Sequence, residues 1–138
     1  MKLKPWPVVA GILVDSLGSI AVGIVYFVAV IGIQIARGQE VSEQMLDPHV
    51  SITAILGLLL TVAGGFVAGW LARTDEVRHA IAVGVGSVLI WLLFEWAVPA
   101  DDPESIVETI SFLAVIPAAA LGGYVSARMN RRAVPQPL

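Results

Sequence analysis

The chain has 138 residues, 57% of them hydrophobic and 14% charged, with a formal net charge of −3 and a mean hydropathy of +0.86. Such an apolar excess excludes an ordinary soluble domain. With no cysteine in the sequence, disulfides and thiolate metal sites are excluded too.

A membrane-spanning helix needs about 20 predominantly apolar residues, and four stretches qualify: 8–35, 50–71, 77–98 and 105–127. The sequence therefore predicts an all-α membrane protein with a single four-helix transmembrane domain over 1–129, followed by a disordered cytoplasmic tail over 130–138. Lys2 and Lys4 precede the first stretch. That stretch runs too far and lacks a small-residue cleavage site, so it reads as a retained helix rather than a signal peptide.

The first helix opens on Pro5 and Pro7, where proline is tolerated because the first turn has no N–H partner to lose. Its 28 or so residues, at about 1.5 Å each, exceed a hydrocarbon core of about 30 Å, so it should tilt or protrude. The connection that follows is acidic, with Glu40, Glu43 and Asp47. The second helix is predicted to end at a tight turn on Thr74 and Asp75, with Asp75 and Glu76 suited to the N-terminus of the third. Pro99 should stop the third helix, and Asp102-Pro103-Glu104 has the order of an N-cap, a first-turn proline and a first-turn acid for the fourth.

Charge fixes the expected orientation. Lys2, Lys4, Arg73, Arg78, Arg128, Arg131 and Arg132 all fall at one side of this threading, leaving only Arg37 at the other. Short loops rich in Lys and Arg stay cytoplasmic, so both termini are expected inside, in the inner membrane of a bacterium. Trp6 and Trp70 at one end, with Trp91 and Trp96 towards the other, suit the aromatic belts of both interfaces.

Gly64-Gly65-Phe66-Val67-Ala68-Gly69 in helix two and Gly122-Gly123-Tyr124-Val125-Ser126-Ala127 in helix four repeat one pattern, each followed by arginine. Duplication would make the two hairpins parallel repeats about an axis along the membrane normal; chance recurrence in apolar sequence is the other reading. Thr53, Gly57, Thr61, Gly65 and Gly69 recur every four residues and form a smooth face. Gly11, Asp15, Ser19 and Gly23 do the same on helix one, as do Ala80 and Gly84 on helix three and Ala119, Gly123 and Ala127 on helix four. Small residues at this spacing let helix backbones approach in lipid. Gly57, Thr61, Gly64, Gly65, Gly69, Gly122 and Gly123 are accordingly expected to pack helices together, within the bundle or between copies. This layout resembles small four-helix bacterial inner-membrane proteins of unassigned function that carry a Gly-Gly-x-x-Ala-type stretch before a basic cytoplasmic turn. The resemblance covers helix two, the turn and the start of helix three, and implies no catalytic or ligand residues.

One acid lies deep. Asp15 is about 10 Å into the first span at about 1.5 Å per residue, where a charge is costly and marks a functional site or a specific partner. It is level with Gly64 and Gly65, with 84–87 and with 120–122, and Ser16 and Ser19 are the expected hydrogen-bond partners. A structural acid, a proton or cation relay and a contact for a partner helix are three readings of it. Glu95 is expected to reach the far interface by snorkelling, and Pro117 to free the carbonyl of Leu113 and kink helix four. His49 with Glu43 and Asp47 makes only a weak candidate metal site, and His79 beside Arg78 reads as interfacial. No nucleophile triad, phosphate loop or paired histidines are present. These features predict no enzyme, no cofactor and no nucleic-acid partner. They predict instead an accessory subunit or homo-oligomer in the lipid bilayer, or alternatively a small proton- or cation-coupled transporter or channel using Asp15.

Overall fold

The computed structural model describes residues 3–39, 47–97 and 106–132, with the backbone alone at 47, 48, 50 and 108. Four helices follow one another: α1 (Pro5–Ala36), α2 (Asp47–Ala72), α3 (Glu76–Ala97) and α4 (Ile106–Arg132). All four are long and apolar enough to cross a membrane. Each is wider than its apolar run predicts on at least one side. The proline-led first turn of α1 carries the helix back to Pro5. Asn130, Arg131 and Arg132, read from the sequence as the start of the tail, continue α4 for its last turn. There their charges sit favourably at the negative end of the helix dipole. The expected stop at Pro99, the cap at Asp102-Pro103-Glu104 and the tail beyond Arg132 lie outside the described residues. Pro117 sits inside α4 on an exposed face, and the helix runs on past it.

The ends of α1 and α2 show how local chemistry stops a helix. At Arg37 the amide turns back onto the carbonyls of Ile33 and Gln34, and Gly38 takes the left-handed φ of +68° that glycine adopts without strain. Between α2 and α3 only residues 73–75 intervene. Arg73 (φ 56°) and Asp75 (φ 52°) both occupy the left-handed region, which costs a non-glycine residue about 1 kcal/mol or more. In return the turn is short enough to press Ala72 against α3, and the Asp75 carbonyl accepts the amides of Arg78 and His79.

The helices pack as two overlapping triplets. α2 and α3 each touch every other helix, α2–α4 is the most extensive interface, and α1 and α4 make no contact among the described residues. Burial is lopsided along the membrane normal. Every buried residue falls within 7–15, 61–72, 79–84 or 119–127, which is the end of the bundle carrying Lys4, Arg73, Arg78, Arg128, Arg131 and Arg132. At this basic end the core is made of alanine, glycine and Val83. No described residue in the far half is buried. There α1 and α2 stay joined through Tyr26 and His49, and α3 and α4 through Trp91 stacked on Phe112 with ring centroids 4.8 Å apart.

Glycine explains the tight half. A Cβ on Gly11 would fall 2.7 Å from the Gly64 carbonyl oxygen, and one on Gly64 would fall 2.6 Å from that of Gly11. Gly65 lies directly on the backbone of Ala119, and Gly122 directly on Val62 and Phe66. These are backbone-to-backbone contacts, the geometry that lets helices associate in lipid, where no hydrophobic driving force separates them from the solvent.

The two Gly-Gly pairs nevertheless do different jobs. In α2 the first glycine, Gly64, meets α1, its hairpin partner, and the second, Gly65, meets α4. In α4 the first, Gly122, meets α2, and the second, Gly123, meets its hairpin partner α3. A two-fold axis between the hairpins would give equal positions equal neighbours. The sequence recurs, but the packing roles are exchanged.

Candidate functional site

Asp15 points into the bundle from α1 and is 5% exposed. The Thr61 hydroxyl on α2 donates to its Oδ1 at 2.8 Å, and the Ser87 hydroxyl on α3 donates to its Oδ2. A single carboxyl therefore ties three helices at one level, in a layer otherwise made of small side chains. Its partners are not Ser16 and Ser19, as the sequence suggests. Ser16 is one position on, about 100° round the helix, and faces elsewhere. Ser19 shares the face but sits one turn away and lines a groove instead. The carboxyl is thus engaged inside the protomer. Glu95 is half-buried towards the far end of α3, about two turns beyond Ser87, and does not join this cluster.

Thr61 has one hydroxyl hydrogen and two acceptors. Besides Asp15 it addresses the Gly57 carbonyl one turn back, at 3.1 Å. Beyond it, between the far halves of α1 and α2, lies a groove lined by Ser19, Val22, Gly23, Thr53, Leu56, Gly57 and Leu60. Gly57 and Gly23 are thus not close-approach glycines: a Cβ on either would meet nothing within 4 Å. The other packing residues read from the sequence do lie at helix contacts, with Gly69 set against Ser126 and Glu76. We expect Gly57→Ala to leave stability within about 0.5 kcal/mol of wild type, as for an uncrowded surface position; reversible unfolding in mixed micelles measures it.

The groove ends in a second polar pair. Tyr26 Oη and His49 Nδ1 are 2.6 Å apart, and the Thr53 hydroxyl donates to the His49 carbonyl at 3.1 Å. His49 is therefore engaged with α1; Glu43 and the Asp47 side chain, its suggested co-ligands, lie outside the described residues. No group of three metal-ligating side chains occurs among the described residues.

At the basic end the structure corrects another reading. His79 is 1% exposed, not interfacial. The Lys4 backbone N–H donates to its Nε2 at 2.9 Å, so that nitrogen is an acceptor; Nδ1, 3.0 Å from the Asp75 carbonyl, must then carry the proton. Lys4 Nζ donates to the Ala72 carbonyl at 3.1 Å, and Asn130 Nδ2 to Glu76 Oε1 at 3.2 Å. Together these bonds tie the start of α1 and the end of α4 to the α2–α3 turn. The Ser126 hydroxyl, fully buried beside Gly69, has no hydrogen-bond partner among the described residues.

Three features are thus brought together: a three-helix carboxyl–hydroxyl cluster, an open groove on its far side and close-packed backbone on its basic side. Compared with known proteins, the chain matches no family model, no curated protein and no solved structure.

Proposed function

We propose that this protein is a non-enzymatic integral membrane protein that acts through helix–helix contacts, completing the far half of its bundle against a second copy or another membrane protein. The observation that carries this reading is the far half of α3. Leu89, Ile90, Trp91, Leu92, Leu93 and Phe94 are consecutive, so they cover more than a full turn, and each is between 40% and 70% exposed. A helix apolar and open on all sides borders either lipid or further protein. In this chain the opposite half of the same helix is packed to backbone contact. The basic-end glycines Gly11, Gly64, Gly65, Gly122 and Gly123, by contrast, are already used inside the protomer.

The same proposal places the protein in a bacterial inner membrane with both termini cytoplasmic, supported by the concentration of Lys and Arg at the basic end. A tag on the C-terminus should be reachable only from the inner side; an external tag overturns the orientation. Purification in mild detergent with mass measurement tests the assembly. Species heavier than the 14.6 kDa protomer, or a stoichiometric membrane partner, are expected; a monomer without partners sinks the proposal.

A further inference from the structure

We propose that Asp15 is a reversible proton-binding site, reached through the α1–α2 groove, whose Thr61 hydroxyl changes acceptor as the proton comes and goes. The inference is independent of the assembly proposed above.

The argument starts from hydrogen counting. A buried polar group left unpaired is costly, and more so in lipid. A carboxyl that serves only as a clamp needs one satisfied arrangement; one that titrates needs two. With Asp15 ionised, Thr61 donates to Oδ1 and Ser87 to Oδ2. When a hydronium ion in the groove gives its proton to Oδ1 and leaves as water, the new O–H donates to Thr61 Oγ1. Thr61 then turns its hydrogen to the Gly57 carbonyl, already 3.1 Å away. The Ser87 bond is unchanged. One proton enters, the O–H bond it forms replaces one of the hydronium's, and every atom of the cluster stays paired in both states.

The surroundings suit a proton rather than a larger cation. On the basic side the Asp15 layer is closed: a Cβ on Gly64 would fall 3.0 Å from that of Asp15, and one on Gly11 would fall 2.6 Å from Val83 Cγ2. A metal ion with several oxygen ligands has no room there. On the far side the groove approaches within one turn, bounded by Ser19, Thr53 and the Gly57 backbone. Its walls are largely apolar, with the hydroxyls of Ser19 and Thr53 as the polar side-chain groups to hold entering water. No fixed charge holds Asp15 in one state. The elements packed against it are α2 and α3. Their titratable groups nearest along the helix are His49 and Arg73, each about 18 Å from Thr61, and His79 and Glu95, each about 12 Å from Ser87, at about 1.5 Å per residue. The remaining ones, Asp75, Glu76 and Arg78, cluster at the α2–α3 turn; Lys4 and Tyr26 are the nearest on α1 itself.

Infrared difference spectroscopy of the full chain in phosphatidylcholine–phosphatidylglycerol vesicles, stepped from high to low pH, tests this. A carboxyl C=O band should appear on acidification and be missing in Asp15→Asn. Thr61→Val, which removes the switching hydroxyl, should displace the midpoint of that band by about one pH unit, the excess of a hydrogen bond to a charged group over a neutral one; Thr61→Ser should restore it. Gly23→Leu, filling the groove away from the Asp15 cluster, should slow the response to a pH jump without moving the midpoint. If Asp15→Asn does not fold, the Thr61 pair decides. A spectrum in which Asp15→Asn loses no band, or a midpoint unmoved in Thr61→Val, overturns the site. An unslowed Gly23→Leu overturns the route.

Discussion

Gly122→Leu and Gly65→Leu are each expected to abolish the folded protomer. Both glycines lie where the backbones of α2 and α4 touch, Gly122 on Val62 and Phe66 and Gly65 on Ala119. A new side chain there cannot be accommodated by a rotamer change in its neighbour, because the neighbour is main chain. The helices must separate across the most extensive interface of the bundle. Overpacking a core costs about 1–3 kcal/mol when side chains can give way, and here the cost should exceed the upper end of that range. Size-exclusion profiles in mild detergent, together with the fraction resisting denaturing detergent, report the outcome. Gly23→Leu adds the same volume at a position where a Cβ meets nothing within 4 Å and should behave as wild type. Equal behaviour of the three variants would refute the packing described for α2 and α4.

The second large effect is expected at Asp15. Asp15→Ala removes the acceptor for Thr61 and Ser87 together, and with it the polar link of α1 to α2 and α3 at that level. Interhelical hydrogen bonds in membranes average about 0.6 kcal/mol and reach about 1.7, so two of them set an expected loss of about 1–3 kcal/mol. Asp15→Asn keeps an acceptor for one hydroxyl and offers its amide to the other, so it should lose less than half as much. Steric-trap unfolding in bicelles can resolve these differences. Ser87→Ala should cost measurably in the wild-type background and almost nothing in Asp15→Ala, since the pair then has no bond left to lose. Full additivity of the two substitutions would show that they do not interact.

Much of the fold is legible in the sequence because hydrocarbon imposes it. Continuous apolar runs, capping prolines and the placement of Lys and Arg leave few alternatives for 138 residues. Asp15 is legible for the same reason: an acid in a span stands out. Its partners are not, because Thr61 and Ser87 are 46 and 72 residues away on other helices, and a helical pattern gives levels rather than azimuths. Ser87 is the only hydroxyl in the stretch of α3 level with Asp15, so that level does hold a usable signal. Thr61 belongs to a recognised small-residue face, but its hydroxyl reads there as filler. Four-residue spacing describes a face without saying what it faces. Gly65 and Gly57 share one such face, yet one meets a backbone and the other an open groove. His79 misleads because Arg78 beside it is exposed; one step of about 100° turns its ring onto the start of α1.

The asymmetry between the two halves of the bundle is the structural fact on which function turns. Close packing at the basic end supplies rigidity, and the far half leaves apolar helix surface without a partner inside the protomer. Because the chain has no cysteine, single-cysteine cross-linking in native membranes asks directly whether that surface meets protein. Leu93→Cys and Phe94→Cys, on the far half of α3, are expected to form adducts with a second copy or a defined membrane partner. Leu13→Cys and Leu17→Cys, also exposed but on α1 towards the packed end, are expected to remain single. Unlinked protein at all four positions would contradict a role built on helix–helix contacts.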